Sequence, residues 1–282
     1  MEIASKANER LKSDKAMLED ELILNMVLST LESVSATRQK QPMWPVAVLQ
    51  RISEFMPMFF RPDAASSTML AVKLCMNLTN NKPKACQPFA AKTFIQPLML
   101  SITQRFHFLN EGLAQDERTE VLESLILSLG AAINLAEFSD QMRLNVDDGG
   151  RMLVTLIENF LEGSERASQV RTNPIVLHYT TTKLTSHQAE SVEESHSGVA
   201  IGYLAVLLGN LCLNKSIRSK VRALLPDQQL DTLVDSIKDF ILVHQHVDSK
   251  AEDYEGAEGQ EALQTYTARL LLVVERLENA RA

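Results

Sequence analysis

Turn-forming residues are scarce in this chain, with 10 glycines and 9 prolines among 282 residues. Hairpin-rich folds draw heavily on both, so the shortage works against a strand-based architecture. Aromatic residues make up only 5% and there is a single Trp, again unlike a sheet protein. Cysteine is scarce too: Cys75, Cys86 and Cys212 are odd in number and share no short spacing. That excludes a disulfide framework and points to buried free thiols in a reducing compartment. A basic surplus is absent, since the net charge is −8. Non-specific nucleic-acid affinity rests on clustered Lys and Arg, so no direct nucleic-acid partner is expected. Long apolar runs are missing as well. The longest nearly unbroken run, Val199 to Leu213, has 15 residues and contains Asn210. A membrane span needs about 20, so the run reads as a helix buried on all sides and no membrane partner is expected. The first residues, Met1 to Lys6, carry no apolar core, and no signal peptide is expected.

What is present is helical. Apolar residues account for 45% and charged residues for 23%, the balance of a folded chain. Leu, Ala and Met are abundant and favour helices. Apolar residues recur with a 3.6-residue period at Ile95, Leu98, Met99, Ile102, Phe106 and Leu109, and again at Leu230, Leu233, Val234, Ile237 and Ile241. This pattern predicts helices at 14–36, 44–59, 64–79, 87–110, 116–138, 147–162, 197–213, 215–225, 227–247 and 258–279. Asp63 and Asp227 suit caps, Pro88 suits a first helical turn, and Pro97 predicts a kink. Two stretches lack the period. Residues 171–196 read as a flexible insert and the acidic stretch 248–261 as a solvated linker, within a single helical-repeat domain spanning 1–282.

A helix ending in Asn-Leu recurs at Asn77-Leu78, Asn134-Leu135 and Asn210-Leu211, with spacings of 57 and 76 residues. Weak self-similarity of helical units marks a solenoid, whose units bury their apolar faces only by stacking. The fold class expected is all-α, a HEAT/armadillo-like helical-repeat array. An Asn beside a buried stripe needs hydrogen-bond partners. Asn77, Asn134 and Asn210 either tie down neighbouring loops or line a concave groove that holds an extended peptide. The groove alternative describes a general armadillo-like adaptor.

Catalytic and cofactor constellations are not found. Gly149-Gly150 lacks the Lys-Ser/Thr ending of a phosphate loop, and there is no Gly-x-Ser-x-Gly, His-Glu-x-x-His or Cys-x-x-Cys. His178, His187 and His196 lie nine residues apart on no preformed frame. Neither enzyme activity, nor a cofactor or metal, nor a small-molecule ligand is expected. The run Met56-Pro57-Met58-Phe59-Phe60 reads as a packed helix end, and Trp44 as a helix-start staple.

The segments Ser128-Leu129-Gly130-Ala131-Ala132-Ile133-Asn134-Leu135-Ala136-Glu137-Phe138-Ser139 and Gly202-Tyr203-Leu204-Ala205-Val206-Leu207-Leu208-Gly209-Asn210-Leu211-Cys212 resemble the wings-apart-like (WAPL) cohesin-release factors. So do Val72 to Asn80, Phe160 to Gln169 and Val221 to Pro226, in the same order, so the likeness covers roughly 65–279. The resemblance implies a HEAT-type array from that family's C-terminal region. It implies a nuclear, chromatin-associated adaptor that binds cohesin, including the ATPase head and a HEAT-repeat accessory subunit, and promotes cohesin's release from chromatin. Family members carry a long N-terminal arm, so the chain resembles a fragment or a shortened form. The family's cohesin-contacting patch corresponds to residues leading into the 197–213 helix. Val199 keeps the apolar character there and Glu193 and Glu194 lie just before it, whereas Ser195 and His196 depart from the family's Met-Glu pattern.

Overall fold

A computed structural model describes residues 18–37, 44–61, 64–111, 113–147, 149–172, 187–251 and 257–280. Every regular element among them is helical, and none of them forms a strand. The chain divides into two compact units, Met1–Asp148 and Gly149–Ala282, each with its own core.

The first unit holds α1 (Leu18–Thr37), α2 (Val46–Phe55), α3 (Ala65–Thr79), α4 (Pro83–Phe89), α5 (Lys92–Asn110), α6 (Gln115–Phe138) and α7 (Asp140–Asn145). Helix α6 is its axis and packs against α3, α4 and α5, while α3 also packs on α1. Residues 128–136 of α6 are buried without a break, and Gly130, Ala131 and Ala132 present no bulk there. Small side chains let neighbouring helices approach closely. By length and composition α6 is able to cross a bilayer, but 67% of its most apolar window is buried inside the protein, as in a core helix.

Proline sets the local breaks. Pro57 opens a 3-10 turn, Met56–Phe59, which extends α2. Met56, Phe59 and Phe60 of this turn are buried, as the packed-end reading expected. The Phe60 and Phe89 rings both meet Phe94 edge to face, at centroid distances of 5.3 and 5.1 Å. The helix expected at 87–110 is two helices: Ala90 and Ala91 separate α4 from α5. Pro83, rather than Pro88, occupies the first turn of α4, and Pro88 lies inside it. Pro97 lies inside α5, which runs on through it. Asp63 lies outside the described residues, and α3 starts after Ala64 without a side-chain cap.

Basic and amide side chains finish the helices. Arg118 donates to the Leu109 carbonyl at 3.0 Å at the end of α5. Arg143 donates to Ala136 and Glu137 carbonyls at 2.8 and 2.9 Å at the end of α6. Free carbonyls at helix C-termini favour such cations. Arg105, fully buried on α5, donates to Ser124 Oγ at 2.9 Å, to the Ser101 carbonyl at 3.0 Å and to the Arg61 carbonyl at 3.2 Å. Thr68 Oγ1 donates to the Phe59 carbonyl at 2.6 Å, so the loop entering α3 is held from two helices.

The second unit holds α8 (Arg151–Thr172), α9 (His187–Leu211), α10 (Lys215–Leu224), a 3-10 turn at Pro226–Gln228, α11 (Asp231–Ala251) and α12 (Ala257–Asn279). Helix α9 is the axis and packs against α8, α11 and α12. Residues 204–212 are buried throughout, so the all-round burial expected of the 199–213 run holds for that part, while Val199, Ile201, Tyr203 and Leu213 are half-buried. A Cβ on Gly202 would collide with the Phe240 ring, and one on Gly209 would lie 2.7 Å from Ile237. Both glycines therefore set how closely α11 approaches α9. The insert expected at 171–196 is shorter: α8 reaches 172 and α9 begins at 187. The linker expected at 248–261 narrows likewise, because 248–251 and 257–261 are helical. Residues 173–186 and 252–256 lie outside the described residues.

Candidate partner-binding site

The three Asn-Leu segments fall on α3, α6 and α9. Asn77 is half-buried and donates its amide to Glu32 Oε1 at 3.2 Å and Ser35 Oγ at 3.1 Å, tying α3 to α1. Its own carbonyl accepts from Lys82 Nζ at 3.4 Å. Asn134 is 7% exposed, and the Cys86 thiol lies 3.9 Å from its carbonyl. Asn210 is 1% exposed and donates to the Val206 carbonyl at 3.0 Å, while its Oδ1 has no partner among the described residues. Asn77 and Asn134 belong to the first unit and Asn210 to the second. Burial of Asn134 and Asn210 removes their donors and acceptors from an extended partner, and Asn77 is spent on α1. The loop-tying alternative fits Asn77 in kind, but the element it ties is a helix.

The second set of candidates lies on one helix. Glu193, Glu194 and His196 fall in the first half of α9, as helical backbone; their side chains lie outside the described residues. Val199 is half-buried, between exposed Gly198 and buried Ala200. The stretch thus leads from the helix start directly into the buried axis of the second unit.

Burial governs the shifted titratable groups among the described residues. Burial pushes the Cys75 thiol up, with the neighbouring Cys86 adding to it, and pushes Cys212 up to about 12. Burial also pushes the Tyr203 hydroxyl up and pulls Arg105 down to about 10. These thiols hold their protons and are poor nucleophiles and metal ligands. Among the described residues no three His, Cys, Asp or Glu side chains come together to hold a metal.

Packing leaves some apolar residues open that no motif marks. Leu22 and Met26 of α1 are 61% and 62% exposed, while Leu24 and Leu28 of the same helix are buried. Apolar residues on two faces of α1 are the one signal that points to them. Leu242 on α11 and Leu271 on α12 are similarly open.

Helices packed on helices, with polar side chains spent on joining them, define an all-helical scaffold. Its sequence matches over residues 1–142 the family described as "Wings apart-like protein regulation of heterochromatin". The chain belongs to this wings apart-like family. The match takes in residues 1–64, which precede the resembling segments, and ends before those at 160–226. Among curated proteins, none matches the chain. The family is regulatory and non-enzymatic, with a role in chromatin.

Proposed function

We propose that this chain is a non-enzymatic module that binds cohesin and promotes its release from chromatin, acting in the nucleus as a HEAT-type array. Family membership over residues 1–142 carries this reading. The ordered resembling segments beyond 142, on α8, α9 and α10, add to it. Fold alone does not supply a function, so the proposal depends on that membership. The partners are the ATPase head and the HEAT-repeat accessory subunit. The contact lies at Glu193, Glu194, His196 and Val199, in the stretch of α9 that precedes its buried half. Binding energy at such a surface concentrates in a few anchors. In a pull-down with assembled cohesin, the wild-type chain is expected to retain the complex. Val199→Asp is expected to weaken capture about tenfold or more, the loss of one desolvated anchor, and because Val199 is half-buried the capture is compared at a temperature where circular dichroism shows the variant fully folded. Failure of the wild-type chain to retain any cohesin subcomplex would refute the proposal.

A further inference from the structure

No Asp or Glu occurs between Glu194 and Asp227, whereas Lys215, Arg218, Lys220 and Arg222 fall within eight residues of that stretch. In a chain of net charge −8 this is a local inversion of sign. All four cations lie on α10, which buries only Ile217 and Val221. Asn214 fixes the start of the helix by accepting from the Ser216 and Ile217 backbone N–H groups at 3.0 and 3.3 Å.

Helical spacing places Lys215, Arg218 and Arg222 at i, i+3 and i+7, one stripe flanking the buried pair and about 10 Å long at 1.5 Å per residue. Lys215 and Arg222 are exposed and Arg218 is half-buried. Two of these side chains are anchored by backbone. Arg218 Nη1 donates to the Cys212 carbonyl at 3.0 Å, and Arg222 Nε donates to the Gln228 carbonyl at 3.3 Å. Neither contact neutralises the charge, and no carboxylate pairs with Lys215, Arg218 or Arg222 among the described residues.

The arrangement is unfavourable to the helix itself. Like charges three and four residues apart repel, and Lys215 sits at the helix end where the macrodipole disfavours a cation. The carbonyls that Arg218 and Arg222 reach offset this only in part, since they bring no full negative charge, and a local rule only partly compensated inside the fold points to a compensation outside it.

We propose that the basic stripe of α10 is a docking surface for an acidic peptide segment of a partner protein. An extended peptide rises about 3.3 Å per residue, so three or four residues rich in Asp and Glu match the stripe. Arg presents its planar fork to carboxylates. A nucleic-acid backbone fits less well, because so few phosphate contacts bind weakly at physiological salt. The stripe lies outside the family-matched residues 1–142 and does not depend on cohesin as the partner.

Fluorescence anisotropy with the full chain tests this, using labelled poly-glutamate, poly-glutamine and a DNA duplex as probes. The chain is expected to bind poly-glutamate, with affinity falling as salt rises, and not poly-glutamine. Lys215→Glu/Arg222→Glu is expected to weaken binding at least about tenfold. Lys73→Glu/Lys84→Glu, the same charge change at exposed positions of the first unit, leaves it unchanged. Lys215→Gln/Arg222→Gln serves where charge reversal upsets folding, as read by circular dichroism. No binding of poly-glutamate, equal weakening by the Lys73/Lys84 pair, or tighter binding of the duplex overturns the proposal.

Discussion

Two buried chemistries set the behaviour of single residues in this protein. Cys75 and Cys212 are fully buried, and their thiols hold their protons above the ordinary value of 9.0. Above about pH 9 the unfolded chain sheds thiol protons that the folded chain keeps, so the folded state binds more protons and stability falls as pH rises. Each thiol contributes a slope of about 1.4 kcal/mol per pH unit in that range. Urea midpoints followed from about pH 8 to about pH 10 are expected to fall less steeply in Cys75→Ala and Cys212→Ala than in wild type. Arg105 presents the opposite charge problem, since its buried guanidinium has neutral oxygens as partners on Ser101, Ser124 and Arg61. Removing it strands those acceptors, so Arg105→Ala is expected to cost about 3 kcal/mol in denaturant unfolding, and Arg105→Met, which keeps volume, less. That the three cysteines are free was legible from their number and spacing, and their burial from the ordinary preference of free thiols for the core. The role of Arg105 was not, because nothing local to α5 distinguishes a buried Arg from a solvated one. For the same reason Asn77, Asn134 and Asn210 share a sequence context without sharing a degree of burial: the neighbouring helices decide which side of α3, α6 or α9 is covered.

At the scale of elements, the 3.6-residue period located the helices well and the breaks less well. Helix α6 came through nearly whole, at 116–138 against Gln115–Phe138, because a long amphipathic-to-buried run has no competing period. The break between α4 and α5 was invisible, since Ala90 and Ala91 are good helix formers and the turn there comes from packing. Polar composition made 187–196 look like an insert, although the backbone is helical into α9. Helix contacts depend on glycines that a propensity scale marks only as weak points. On propensity alone Gly202→Ala stabilises a helix by about 1 kcal/mol. Here the added Cβ collides with the Phe240 ring, and overpacking of this kind costs about 1–3 kcal/mol. The net expectation is a lowered melting temperature for Gly202→Ala and a larger loss for Gly202→Val. Gly202→Ala/Phe240→Leu is expected to recover part of the loss in a double-mutant cycle. Full additivity of the two substitutions would show that the contact does not limit packing.

The whole molecule was expected as one array over 1–282, and its helices gather into two compact units, one centred on α6 and the other on α9. Sequence periodicity reports that each helix has an apolar face but not which helices share it, so the division lay beyond its reach. The division has a spectroscopic consequence. Trp44, the sole Trp, belongs to the first unit, so its emission follows that unit while far-UV circular dichroism follows the helices of both. Phe160 is fully buried on α8 in the second unit, and Phe160→Ala is expected to cost about 3–5 kcal/mol there through lost burial and the cavity left behind. In thermal or urea unfolding the substitution should shift part of the dichroism transition to milder conditions and leave the Trp44 transition in place. Leu125→Ala, in the core of the first unit, should move the Trp44 transition by about 2–5 kcal/mol. Coincident transitions that shift together in both variants would instead mean that the two cores unfold as one cooperative unit. The separate cores also bear on any loss of cohesin capture: a variant is informative about binding only when both transitions remain where they are in the wild type.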